Sequence, residues 1–309
     1  MLSRIAESLF WIGRYLERAD DTARILDVHL QMLLEDPALP EVEACRGLLA
    51  VMGLEPAADE QVDRTVVLDR LAYDGLYPSA IVGSLTAARE NARRARETIS
   101  TDLWQAVNTT FIGLDRVRLQ ATTAHDFLAY VRERTSLVAG IAEETMSRDD
   151  AWRFLILGRN LERADMTARL VATSTISAAV PSWTALLRSC GAYESYLRTY
   201  RGVATDARAA EFLLLDRLFP RSVIHALMAA EQVLEELAPP LERVGIADQS
   251  RRLLGRIRTS LEYRALEEVL ADVPGEMGRV QRAVSAASDG VARRYFPRSI
   301  TTAWVEDAS

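Results

Sequence analysis

Residues 12–26 read IGRYLERADDTARIL, and residues 157–171 read LGRNLERADMTARLV; ten of the fifteen positions are identical at a constant offset of 145 residues. A chain carrying the same long amphipathic segment twice must build two related helices and bury a face of each. At 100° per residue, Ile5, Leu9, Ile12, Leu16, Ala19, Ala23 and Leu30 share one side of the first helix and make a core-facing stripe. Gly13, Glu17, Asp20 and Arg24 lie within about 60° of one another beside that stripe. The second copy places Gly158, Glu162, Asp165 and Arg169 in the same positions. Glycine inside a helix costs about 1 kcal/mol relative to alanine, so its recurrence predicts that another backbone or a ligand approaches there. Charges at the rim of an apolar face are partly desolvated and need partners. Two readings follow. Either these charges pair within and between the helices and fix their register, or the two stripes face a shared cleft that binds an anionic or zwitterionic ligand.

Outside the repeat, the ten prolines fall between periodic segments or in the first turn of one, where the missing N–H costs little. No segment alternates with period two, so the expected fold class is all-α, a helical bundle. Ser3 is the expected N-cap of a helix running to about Leu34, followed by an acidic linker to Glu43 and a short helix over Cys45–Met52. A helix from about Asp59 carries VVLDRL, and YDGLYPS reads as a turn. Helices are then expected over Ser79–Ile99, from Ser100 or Thr101 to Gln120, over Asp126–Met146, and from Ser147 past Val171. Another begins near Pro181 and carries Trp183, Tyr193, Tyr196 and Tyr200 as core aromatics. The last two are expected over Gln249–Ala271 and Glu276–Arg294, with a tail that docks through Phe296 and Trp304 or stays disordered.

A second likeness links the two parts of the chain. Leu68-Asp69-Arg70-Leu71 matches Leu215-Asp216-Arg217-Leu218, Pro78 matches Pro220, and Leu85 to Ala88 matches Leu227 to Ala230. The chain therefore reads as two diverged, tandemly duplicated helical halves, 1–146 and 147–309, packed as one compact unit. At the offset of the prolines, Arg89 and Arg93 correspond to Glu231 and Glu235. Arg89, Arg93 and Arg96 line one shoulder of a helix and Asn91 the other. Such a row of arginines needs an anionic neighbour, which is expected to be Glu17 and Asp20, a bound carboxylate or phosphate, or the acidic stripe of the other half.

Composition removes several classes. The net charge of −7 argues against a general nucleic-acid binder. All 37 basic residues are arginine, as codon bias in a GC-rich genome produces, which rules out Schiff-base and P-loop lysines. Cys45 and Cys190 are far apart, and His29, His125 and His225 stand alone, so neither a disulfide framework nor a zinc site is expected. No signal peptide and no membrane span are read, giving a soluble cytoplasmic protein of bacterial type. No cofactor and no metal are expected. Helical carboxylate-bridged metal sites use Glu-x-x-His, and the repeats here read Glu-Arg-Ala-Asp.

LSRIAESLFWIGRYLERADDTAR at the N-terminus, ARENARRARETIS from Ala88, FLILGRNLERADMTAR from Phe154 and LLLDRLFPRSV from Leu213 together resemble the alpha-E domain family, nearly end to end. That family consists of bacterial helical proteins encoded beside or fused to circularly permuted ATP-grasp proteins, often near transglutaminase-like proteins. The resemblance implies a role in an ATP-dependent amide-forming or peptide-modifying system, with an ATP-grasp ligase as partner and a transglutaminase-like protein as a second one; it leaves a homo-oligomer open. No catalytic residue carries over from the family. The first functional expectation is an accessory or substrate-presenting subunit of the ligase, since no nucleophile–base signature is present. The second is an enzyme acting on a carboxylate- or phosphate-bearing substrate, with Glu17 and Glu162 as candidate bases. Around them stand the candidate ligand-binding residues Arg14, Arg18, Asp20, Arg24, Arg89, Asn91, Arg93, Arg159, Arg163, Asp165, Arg169 and Arg221.

Overall fold

A computed structural model describes residues 2–36, 38–173, 182–201, 205–239 and 244–296. The described residues form helices and connecting turns, with no strand among them. In chain order they are α1 (Ser3–Glu35), α2 (Glu41–Val51), α3 (Arg64–Leu68) running into a π-helical turn (Asp69–Tyr73), α4 (Ile81–Arg94), α5 (Thr101–Gln120), α6 (Ala124–Thr145) and α7 (Asp150–Thr173). Then come α8 (Trp183–Ser189), α9 (Tyr193–Tyr200), α10 (Asp206–Leu215), α11 (Val223–Leu237), α12 (Gln249–Glu262), α13 (Leu266–Leu270) and α14 (Val273–Tyr295).

Capping explains most of the starts. Ser100 Oγ accepts from the Leu103 amide at 3.0 Å and opens α5. Thr123 and Asp126 form a reciprocal capping box at α6. Ser222 accepts from the His225 amide at 3.1 Å and Asp248 from the Arg251 amide at 2.6 Å, opening α11 and α12. At α1 the cap residue is Leu2 rather than Ser3, which is already helical and caps nothing. The second repeat helix starts at Asp150 instead of Ser147, with Asp149 accepting from the Ala151 amide at 2.9 Å.

Three expected helices are shorter or divided. The one expected over Ser79–Ile99 spans Ile81–Arg94 only. The segment with the core tyrosines splits into α8 and α9 at Gly191, whose φ of +61° is a left-handed conformation that suits glycine. The run expected over Gln249–Ala271 breaks after Glu262, where Arg264 turns back to pair with Glu276 and to donate to the Glu268 carbonyl at 3.0 Å. Tyr196 is fully buried against Phe212, as a core aromatic should be. Phe296 docks between Phe10 and Phe154, with ring centroids 5.6 and 5.9 Å away, while Trp304 lies outside the described residues.

The helices pack in two rings of four. In the first, α1 packs on α4, α4 on α5, α5 on α6, and α6 back on α1. In the second, α7 packs on α11, α11 on α12, α12 on α14, and α14 back on α7. The rings join along α1 and α7, the most extensive helix pair in the molecule, and one continuous apolar core runs through both. Leu9, Ile12, Ala19, Ala23 and Leu26 of α1 and Leu157, Leu161, Ala164 and Ala168 of α7 belong to that core. No helix among the described residues is long and apolar enough to cross a membrane.

Candidate functional site

α1 and α7 cross with their backbones nearly touching, and the two repeat glycines are the reason they can. A Cβ at Gly13 would stand 2.1 Å from the Leu155 carbonyl oxygen, and one at Gly158 would stand 2.0 Å from the Phe10 carbonyl oxygen. Both are backbone atoms, which cannot swing aside. The close approach carries the charged residues of each helix past the axis of the other.

The result is a reciprocal exchange. Glu162 of α7 receives Arg14 Nε at 2.5 Å and Arg18 Nε at 2.6 Å from α1. Glu17 of α1 receives Arg163 Nε at 2.6 Å and, more loosely, Arg159 Nε at 3.4 Å from α7. Every residue here has its counterpart 145 positions away. Thus the pairing between helices and the close backbone approach both occur, and they share one cause.

The exchange is not fully symmetric. Arg14 also donates to Ser288 Oγ at 3.2 Å and Arg18 to the Pro78 carbonyl at 3.3 Å. Glu17 instead gains Arg221, from the turn before α11, at 3.0 Å. Arg221 also meets Asp20 at 2.5 Å, and Asp20 takes Arg24 at 2.9 Å and the Thr135 hydroxyl at 3.0 Å. Asp165, its counterpart, holds only Arg169 among the described residues, at 2.8 Å, and stays half-buried.

Beside Glu17 the packing leaves a cavity of about 270 Å³. Glu17, Asp20, Arg159, Arg163, Arg221 and Thr135 supply its polar wall, and Leu16, Leu103, Val138, Ala142 and Leu155 its apolar wall. Ser136 and Ala139 of α6 stand at its less buried side.

Burial would raise the Glu17 carboxyl, but Arg163, Arg221 and Arg159 outweigh it and hold the group at about 2. Glu162 is likewise buried, and Arg14 and Arg18 hold it below the usual carboxylate range. Asp21 goes the other way. Desolvation pushes its carboxyl well up, the neighbouring Glu17 and Asp20 add to this, and Arg221 at 3.8 Å does not offset them. At the matching position of the second segment stands Met166, also buried, so the repeat is polar at one and apolar at the other. Because the folded state favours protonated Asp21, that contribution to stability is complete below the unfolded pKa of about 4 and is lost as pH rises through the raised folded value. Asp21→Asn should therefore stabilise the protein increasingly toward alkaline pH; melting curves at about pH 6 and about pH 9 check this.

Glu17, Asp20 and Asp21 are buried with oxygens within 4.8 Å of one another. Guanidinium groups engage Glu17 and Asp20, which takes the place a cation would fill. Cys190 is buried near Asp21, with desolvation pushing its thiol up to about 12, so it is no nucleophile at neutral pH.

Three expected site residues are elsewhere. Arg89 donates to Asn108 Oδ1 at 2.8 Å and lies over Phe111, and Arg93 pairs with Glu90 at 3.0 Å. Asn91 Nδ2 donates to the Ala87 carbonyl at 2.8 Å; it and Arg93 line a separate surface groove with Trp11 and Tyr15. Nor do the basic and acidic stripes of the two rings pair with each other. Glu231 takes Arg258 at 2.6 Å and Glu235 takes Arg251 at 2.9 Å, both within the second ring. Each stripe finds its partners on its own helix or on the next helix of its own ring. Conversely, the sequence drew no attention to Thr135 and Ser136 of α6, because a helix outside the repeat supplies them.

The family model described as a predicted alpha-helical domain with a conserved ER motif, Alpha-E, matches residues 1–296. The chain belongs to the Alpha-E family. The dipeptide Glu-Arg stands inside both LERAD segments, as Glu17-Arg18 and Glu162-Arg163, where its acid accepts from the opposite helix. Uncharacterised proteins of Mycobacterium bovis and Mycobacterium tuberculosis are each 27% identical to this Alpha-E chain over 94% of its length. The match covers 36% of each of those proteins, so the chain spans about a third of the length of the curated relatives it matches. No solved structure matches the chain.

Proposed function

We propose that this Alpha-E chain is a non-catalytic, substrate-presenting partner of an ATP-grasp amide ligase, acting in the cytoplasm where ATP is supplied. The observation that carries this reading is the state of the two repeat glutamates. A general base works best with a pKa near the operating pH. Glu17, held at about 2, and Glu162, held low by two arginines, are instead counter-charges inside the fold. With Glu17 held low and three arginines among its other polar lining, the cavity offers charge and shape for binding. The companion ligase is the one the family resemblance implies. Relatives nearly three times as long leave room for such a companion within one chain.

On the same reading, the two four-helix rings are diverged tandem copies, 1–146 and 147–309. Identical positions in the repeat, the matching order of helix contacts and the reciprocal arginine–glutamate exchange support this. Duplication puts the junction of the copies at the centre of the molecule, beside the cavity.

The test is reconstitution with the ATP-grasp protein encoded next to this chain. Co-purification and a several-fold rise in ATP-dependent amide formation are expected. Ligase turnover unchanged by a stoichiometric amount of this chain would overturn the proposal.

A further inference from the structure

Arg159 and Arg14 occupy the same position in the two copies but end differently. Arg14 meets Glu162 at 2.5 Å and Ser288 at 3.2 Å. Arg159 has one contact among the described residues, the 3.4 Å approach to Glu17, and otherwise faces the cavity. Glu143, the other acid near it, is taken by Arg148 at 2.7 Å. A guanidinium has five N–H donors, so Arg159 keeps donors to offer a ligand in the cavity.

The charges point the same way. Arg159, Arg163 and Arg221 face the cavity together with the acids Glu17 and Asp20. Asp21 does not line the cavity, and burial favours its neutral form. The lining thus holds three guanidinium groups against two acids. Burial and the two neighbouring arginines press on Arg159 in particular, lowering its hold on its proton.

We infer that this cavity binds a small monocarboxylate, with Arg159 gripping the carboxylate and the wall of Leu16, Leu103, Val138 and Leu155 holding a short apolar body. At about 270 Å³ the space sits just below the range of about 300–1,000 Å³ usual for small-molecule sites, which fits a ligand no larger than one amino-acid residue. A free short-chain acid and the C-terminal residue of a peptide offer the same chemistry. Inorganic phosphate brings no apolar body for the wall of Leu16, Leu103, Val138 and Leu155. The inference deepens the proposal above by naming the substrate class of the same cavity, and its test needs no ligase.

The experiment is calorimetric titration of the whole chain with butyrate, N-acetylglycine, butyramide, inorganic phosphate and chloride. Butyrate or N-acetylglycine should bind at one site. Butyramide, which keeps the shape and loses the charge, should bind at least about tenfold more weakly, as expected for a charge-assisted contact. Arg159→Gln should weaken the carboxylate by a similar factor. Ala139→Leu fills the cavity from α6 without touching a charge and should abolish binding, so the inference stays testable if the arginine variant fails to fold. Equal binding of butyrate and butyramide would overturn it. So would phosphate or chloride matching the carboxylates, or wild-type affinity in Ala139→Leu. Ligand binding without any effect on a ligase would leave the cavity assignment standing and count against the partner role alone.

Discussion

Gly13→Ala should unfold at a markedly lower urea concentration than the wild type, although alanine is the better helix former. The propensity gain is about 1 kcal/mol. Against it stands a methyl group 2.1 Å from the Leu155 carbonyl oxygen, on a backbone that cannot rotate away. Overpacking costs typically about 1–3 kcal/mol and more when backbones must part. A net loss of about 1–2 kcal/mol is therefore expected. Gly158→Ala should behave alike, since its methyl would meet the Phe10 carbonyl oxygen at 2.0 Å. The double variant should lose less than the sum, because one separation of α1 from α7 accommodates both methyls. Stability equal to or above the wild type in either single variant would mean that the helices do not cross this closely.

Glu162→Ala should be among the most damaging substitutions outside the apolar core. It leaves Arg14 and Arg18 facing each other at a buried crossing with no anion between them. Breaking a buried ion pair by removing one partner costs about 3–5 kcal/mol. Replacing a whole charged set by apolar residues is often neutral, so the lattice specifies register more than it supplies stability. The stability comes from the core, where each fully buried leucine, such as Leu9, Leu26, Leu157 or Leu161, contributes about 1.5–3 kcal/mol. pH offers a second check. Folded Glu17 and Glu162 bind protons less readily than in the unfolded chain, where glutamate titrates at about 4.3. Their contribution is thus present above that value and lost as pH falls toward about 2. The gap between wild type and Glu17→Gln should narrow over that acid range, measured by denaturant unfolding at successive pH values.

The crossing was legible before any coordinates because the repeat states it twice. A glycine kept at the same place in two helices signals close approach, and an acid with an arginine on either side in both copies signals exchange. The cavity was not legible. It depends on how α6 sits against α1, and no local pattern in Thr135, Ser136 or Ala139 announces a gap. Arg89 and Arg93 misled for a related reason. Their partners are Asn108 on the next helix and Glu90 three residues before Arg93, and short-range pairing wins over a distant acidic stripe. The break after Glu262 contains neither glycine nor proline; it follows from Arg264 reaching Glu276, which only tertiary packing reveals. The break at Gly191 did carry a signal, a glycine inside an aromatic-rich segment.

A double-mutant cycle between Glu17 and Arg163 tests the central claim most directly. Arg163 has Glu17 as its acceptor at 2.6 Å, from a helix 146 residues further along the chain. Glu17→Gln, Arg163→Met and the pair together would be compared by urea unfolding at neutral pH. Reciprocal exchange at a buried crossing predicts a coupling energy of about 1 kcal/mol or more, with the double variant more stable than the two single losses sum to. Strict additivity would contradict it.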